Sequence, residues 1–257
     1  MTDDDGPLRG GTANTGRVIR VGNTVRRPRG PHSPAVHRLL KHLAKTGFSG
    51  APRVLDSRPD TEILTFIPGI AAYEPLPAWA LTDQALRSFA QLLRDYHEHA
   101  ESFDEDGLPW QRNVPERWRG KLITHNDLNP ANVVFRQEQA IALIDFDLAA
   151  PGCRAWDLAV AACFWIPLCD ERHIQDSRRG ATFARYRLLL DAYDARAALR
   201  REVAEATVDA NIWISTIIAS GARHRHPAFT AIWEASAERY YYAHAWLLAN
   251  QQRLATL

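Results

Sequence analysis

The stretch His125-Asn126-Asp127-Leu128-Asn129-Pro130-Ala131-Asn132 joins an acid to an amide five positions downstream, and Leu143-Ile144-Asp145-Phe146-Asp147 supplies further acids. Phosphoryl transfer from a metal nucleotide needs such a set. One carboxylate orients and deprotonates the acceptor hydroxyl, while an amide oxygen and another carboxylate hold Mg²⁺ on the phosphates. The neighbouring apolar residues supply the geometry. Leu122-Ile123-Thr124 leads into the loop, Val133-Val134-Phe135 leaves it, and Ile141-Ala142-Leu143-Ile144 reads as the returning strand. A short hairpin is therefore expected to bring Asp127, Asn132 and Asp145 to one end. Taken alone, Asp-Leu-Asn-Pro-Ala-Asn is also an ordinary turn composition; the flanking strands and the second acid set it apart.

These segments resemble the catalytic core of the aminoglycoside phosphotransferase family, relatives of the protein kinases that also include choline, homoserine and fructosamine kinases and macrolide phosphotransferases. His125, Asp127 and Asn132 match that family's His-x-Asp-x-x-x-x-Asn loop. Ile144-Asp145-Phe146-Asp147 matches its Ile-Asp-aromatic-acid motif, and Asp157-Leu158-Ala159 its following Asp-Leu-Ala segment. The resemblance implies an α+β, protein-kinase-like bilobal fold, with a small antiparallel-sheet lobe carrying one helix and a larger, mainly helical lobe. It implies Asp127 as base, Asn132 and Asp145 as metal ligands, and His125 and Asp157 as braces of the catalytic loop. Asp157 also reads as a first-turn helix acid favoured by the dipole, and Asp147 as either a second metal ligand or a solvated acid.

Read along the chain, residues 1 to about 9 look frayed. Arg17 to Val21 and Thr24 to Arg27 form a hairpin about Gly22-Asn23. Ser33-Pro34 opens a helix with Val36, Leu39, Leu40 and Leu43 on its apolar stripe, stopped by Gly47. Ala51 to Leu55 and Glu62 to Ile67 read as strands, and Pro68-Gly69 closes a first lobe, so that 1–69 is the nucleotide lobe and 70–257 the catalytic and substrate lobe. Helices are expected over 82–100, 156–167, about 181–201, about 203–220 and 228–250. In the last, Phe229, Ile232, Trp233, Tyr240, Tyr241, Leu247 and Leu248 read as one core face.

Gly10 and Gly11 suit a loop covering nucleotide phosphates, because glycine lets backbone N–H groups approach phosphate oxygens; a plain tail accounts for them equally. The lysine that the family places on the strand before the first helix is missing: Lys occurs only at Lys41, Lys45 and Lys121. That strand ends Val25-Arg26-Arg27, and alternation sends only one arginine into the cleft. The expectation is Arg27. The helix glutamate that pairs with the family's lysine is missing too, which leaves His37 and His42 as polar substitutes. By the same resemblance, the Thr65 carbonyl and the Ile67 N–H would bind adenine, although an edge strand entering a loop explains the local sequence nearly as well.

Bulk properties set the outer limits. A chain of 257 residues buries a sizeable core. A net charge of +1 offers no extended basic face for nucleic acid. Cys153, Cys163 and Cys169 have no metal-ligand spacing and suit a reducing compartment. No signal peptide is evident, and no stretch approaches the ~18 uninterrupted apolar residues of a membrane helix. The expectation is a cytoplasmic monomer or dimer that moves the γ-phosphate of ATP or GTP, with Mg²⁺, to a hydroxyl of a small molecule such as an aminoglycoside-like compound or amino alcohol. The other reading is a kinase-like protein that binds nucleotide without transferring phosphate.

Overall fold

The computed structural model describes residues 5–8, 16–104 and 107–257. A five-stranded antiparallel sheet comes first, in the order β1 (Gly6–Pro7), β2 (Ile19–Val21), β3 (Thr24–Pro28), β5 (Thr61–Thr65), β4 (Val54–Ser57). The helix α1 (Ser33–Thr46) crosses from β3 to β4. The pairing of Gly6 with Arg20 and Pro7 with Ile19 corrects the reading of residues 1 to 9 as frayed throughout. Gly10 and Gly11 lie outside the described residues. Pro34 sits in the first turn of α1, where its missing N–H leaves no gap in the ladder. The Ser33 hydroxyl accepts from Gly30 N in the preceding turn, and His32 occupies the N-cap. Gly47 ends the helix in the left-handed region, at φ 94°.

The helical part begins with α2 (Asp83–Ala100), followed by β6 (Leu122–Thr124), the hairpin β7 (Val133–Arg136) and β8 (Gln139–Leu143), and β9 (Ala150–Gly152). The helices α3 (Arg154–Trp165), α4 (Thr182–Ala192), α5 (Ala197–Arg223) and α6 (Pro227–Leu254) complete it. β6 pairs with β9, which holds the two ends of the intervening segment 125–149 together. The expected helix over 181–201 is broken instead. Tyr193 to Arg196 turn the chain, with Asp194 in the left-handed region at φ 65°, and α5 starts only at Ala197.

A single apolar core runs through α1, α2, α3 and α5, with Trp156, Trp165, Tyr96 and Phe89 fully buried. Phe89 of α2 stacks on Trp165 of α3 at 4.3 Å between ring centroids. The assignment of one core face to α6 needs correction. Leu247 is buried, but Tyr241 is 72% and Leu248 57% exposed. Neighbouring helical positions lie about 100° apart, so Tyr240 and Tyr241, or Leu247 and Leu248, cannot both point inward.

The segment joining sheet to helices crosses the back of the hairpin. Ile70 N donates to Phe135 O at 2.9 Å, Phe135 N to Ile70 O at 2.7 Å, and Arg136 to Pro68 O. Gly69 is required there, since a Cβ would meet Phe135 O at 2.6 Å and Val134 Cγ1 at 2.5 Å. Gly69→Ala is expected to destabilise the protein by about 1–3 kcal/mol through overpacking. Urea unfolding measures this, and an unchanged midpoint would show that the crossing relaxes freely.

Candidate active site

The hairpin register builds the site. Val133 pairs with Leu143, and Ile144 N donates to Asn132 O at 2.9 Å, so Asn132 and Asp145, the residue after Ile144, share one end. Asp145 and Asn126 both adopt left-handed backbone, at φ 62° and 66°. Asn and Asp tolerate this region better than other residues bearing a Cβ. The side chain of Asn126 accepts from Thr124 Oγ1 (3.0 Å) and Trp156 Nε1 (2.8 Å) and donates to Leu148 O (2.8 Å). These bonds hold the loop at its tightest point.

Asp157 sits beneath that loop with no solvent exposure. It accepts backbone N–H from His125 (2.8 Å) and Asn126 (2.9 Å), and His97 Nε2 donates to it at 3.0 Å. Tyr193 and Arg154 extend the chain behind His97, at 2.7 and 2.9 Å. The geometry of a brace is therefore present, and a first-turn dipole contact alone does not describe it. His97 was not anticipated as part of the site. Its signal lay in the sequence all the same, because a histidine on the apolar stripe of α2 needs a buried partner.

His125 packs against Phe146 with ring centroids 4.6 Å apart and tilted by 52°, donates Nε2–H to Ile144 O at 3.0 Å, and receives Asp127 N–H on Nδ1 at 3.3 Å. Burial pulls its imidazole down to about 4 despite the facing charge of Asp157, so it stays neutral near pH 7. It links the two acid-bearing segments without facing outward as an acid or base.

Asp127 receives Asn129 Nδ2 at 2.7 Å and Asn132 Nδ2 at 2.8 Å. With its Nδ2 so used, Asn132 has its Oδ1 left as a ligand. Burial, then the nearby Asp145 charge, push Asp127 up to about 7, against the two amide hydrogen bonds. Burial and Asp147 likewise raise Asp145. Burial also pushes Asp147 upward, but hydrogen bonds from His32 and Arg27 outweigh it and hold that acid below the usual range.

Arg27 enters the cleft, while Arg26 is exposed. Its Nη1 meets Asp145 at 3.1 Å and its Nη2 meets Asp147 at 2.7 Å. Its Nε donates to Glu62, whose other carboxylate oxygen lies 2.5 Å from His37 Nε2. Burial disfavours the charge on Arg27, yet Asp147, Asp145 and Glu62 together raise its pKa. His32 adds a further contact to Asp147 at 3.4 Å. Neither Glu62 nor His32 was singled out from sequence. Strand alternation did mark Glu62, which shares the inward parity of Leu64. The Ile67 amide makes no hydrogen bond among the described residues, and Phe66 N is taken by Asn23 O.

Among the described residues no group of three His, Cys, Asp or Glu side chains is gathered around a point that could hold a metal. The set here is two carboxylates and an amide oxygen. Hard oxygen donors of this kind, with open positions for phosphate and water, suit Mg²⁺. Three carboxylates facing one guanidinium also leave negative charge for a cation to neutralise. In the helical part a cavity of about 330 Å³ is lined by Asp170, Glu171, Cys169, Thr182, Phe183 and Trp246. Asp176, Asp191 and Asp194, also acids of the helical part, pair with Arg178, Arg200 and Arg94. No helix among the described residues is long and apolar enough to cross a membrane, and the three cysteines are unpaired.

Sheet, hairpin and helices together define a protein-kinase-like α+β fold of two lobes, the class to which small-molecule kinases belong. The chain belongs to the phosphotransferase enzyme family, whose model matches residues 100–201. The trifolitoxin immunity protein of Rhizobium leguminosarum bv. trifolii is 34% identical over 206 residues, covering 74% of this chain and 74% of that protein. Among solved structures, a choline/ethanolamine kinase family protein from Mesorhizobium loti superposes with a TM-score of 0.65 at 15% identity, over 99% of this chain and 92% of that one. The GDP complex of aminoglycoside 2′-phosphotransferase-IIIa gives 0.63 at 15% identity, over 95% and 93%. At such identities these two structures speak for the fold alone.

Two outcomes follow from the brace. Asp157→Asn places an amide N–H against backbone donors in a dry site and should cost about 3–5 kcal/mol; unfolding free energy within 1 kcal/mol of wild type would contradict it. The folded pKa of His125, about 4, lies below the unfolded value of about 6.5, so its contribution is complete above pH 6.5 and lost as pH falls toward 4. Asp127 acts in the opposite sense over much of that window, but both proteins in a His125→Asn comparison retain it. The stability advantage of wild type over His125→Asn should therefore shrink by about 2 kcal/mol between pH 7.5 and pH 5. A gap independent of pH, measured by denaturant titration, would contradict a neutral buried His125.

Proposed function

We propose that the protein transfers the γ-phosphate of ATP or GTP to a hydroxyl of a small molecule, with residues 1–69 as nucleotide lobe and 70–257 as catalytic and acceptor lobe. The observation that carries this reading is the convergence of Asp127, Asn132 and Asp145 at one end of the β7–β8 hairpin, facing a buried guanidinium. Asp127 orients the acceptor hydroxyl and takes its proton as the oxygen–phosphorus bond forms and the bond to the departing nucleoside diphosphate breaks. Asn132 and Asp145 would hold Mg²⁺, which when bound offsets charge on the phosphates. A cation there would also draw the Asp127 pKa back down. His125 and Asp157 brace the loop, Arg27 clamps phosphate, and the Thr65 carbonyl and Ile67 N–H receive the base. Gly10 and Gly11 would cover the phosphates.

The acceptor class is supported from two sides. The cavity lined by Asp170 and Glu171, with Phe183 and Trp246 packed together on its wall, suits an amine-bearing molecule. The name of the trifolitoxin immunity protein points to protection from a toxin, so a hydroxyl-bearing antimicrobial is the acceptor we favour. The contacts of Arg27 with both Asp145 and Asp147 also fit the other reading, in which the protein binds nucleotide without transfer.

Incubation with Mg-ATP or Mg-GTP and a panel of amino sugars, macrolides, amino alcohols and trifolitoxin distinguishes the two. A phosphorylated product is expected, with kcat reduced by about 10²-fold or more in Asp127→Ala. Nucleotide-dependent thermal stabilisation without any phosphorylated product would establish the binding-only reading.

A further inference from the structure

Glu62 is an acid with no solvent exposure and no part in the transfer chemistry. It lies directly opposite Arg27 in the β3–β5 register, so both side chains leave the sheet on the same face. Its two carboxylate oxygens have separate tasks, one receiving Arg27 Nε and the other facing His37 Nε2 at 2.5 Å. His37 stands on the buried face of α1 with Val36, Leu39 and Leu40. The sheet thus carries both members of an ion pair, and the helix joins it through a histidine.

The consequence for Arg27 is directional. A guanidinium is a planar fork, and fixing Nε fixes where Nη1 and Nη2 point. Here they point at Asp145 and Asp147, at 3.1 and 2.7 Å. A lysine has a single nitrogen, so at this position it could not satisfy Glu62 and also span both acids. The exchange of lysine for arginine and the transfer of the glutamate from helix to strand belong together on this reading.

We propose that Glu62 is the positioning residue of the nucleotide clamp, holding the Arg27 fork toward the metal-binding acids, and that His37 couples the seating of α1 to that clamp. This rests on Arg27 contacting phosphate, as set out under the proposed function. It predicts that nucleotide affinity depends on Glu62 only while Arg27 is present.

The test is Mg-ATP affinity by thermal-shift titration in wild type, Glu62→Gln, Arg27→Ala, and the double variant, with circular dichroism to verify folding. Glu62→Gln is expected to weaken binding by about tenfold or more, as loss of an outer orienting partner commonly does at metal sites. In the Arg27→Ala background the same change should alter affinity by less than about twofold, because the pair acts as a unit. Should Glu62→Gln not fold, Glu62→Asp retains the charge, retracts it by one methylene, and should weaken binding in the same way. His37→Gln should give a smaller loss in the same direction. Equal losses from Glu62→Gln in both backgrounds, or wild-type affinity in folded Glu62→Gln, would overturn the proposal while leaving the phosphotransferase reading intact. Unchanged affinity in Arg27→Ala would remove the clamp itself, and the role of Glu62 with it, whereas product formation would still report on Asp127.

Discussion

The carboxylate of Asp157 carries the loop from His125 to Asn132. A loop that presents an acid and an amide to a cleft turns its own backbone donors inward, and buried N–H groups without partners cost free energy. Asp157 satisfies two of them at once, from His125 and Asn126, and is itself paired with His97. A buried carboxylate is tolerable only when it is hydrogen-bonded in this manner. The surrounding aromatic residues contribute by excluding water, and Trp156 and Trp165 also donate their indole N–H groups to Asn126 and Leu128. Loop shape, core packing and charge satisfaction are therefore one problem solved by one set of side chains.

A second constraint acts on the other wall of the cleft. Arg27, Glu62, Asp145 and Asp147 place one positive and three negative charges in a small, largely dry volume. Such a cluster is stable only if each charge has near partners, because low local dielectric magnifies both attraction and isolation. Asp145 and Asp147 separate in proton affinity for this reason. Asp147 has both His32 and Arg27 beside it, whereas desolvation and the like charge of Asp147 prevail at Asp145 over its contact with Arg27. The cluster keeps an excess of negative charge that the single guanidinium does not neutralise.

The two walls meet through the backbone. The hairpin end brings Asn132 beside Asp145, the crossing at Gly69 fits against Phe135, and Leu143 N donates to Gly50 O at 2.9 Å. These contacts explain why a small residue is needed where the chain passes over β7.

Sequence alone determined the local grammar. The order of acid, amide and acid, the hairpin between them, the amphipathic stripes of α1 and α2, and the opposite facing of Arg26 and Arg27 all follow from spacing and periodicity, which are short-range properties; that Arg27 is the inward one is decided by the fold. Helix limits in the last third were less legible, because α4 and α5 are nearly continuous in composition and are parted only by a left-handed turn at Asp194. The face of α6 was misread for a related reason: a helix rich in apolar residues on several sides does not declare which of Tyr240 and Tyr241 packs inward. Tertiary structure alone decided the partners. That His97 reaches Asp157 across 60 residues, and that Glu62 reaches Arg27 across 35, depends on how α2 and β5 pack. Buried charge demands a partner but does not name it, and the choice falls to whatever the fold brings within hydrogen-bonding distance.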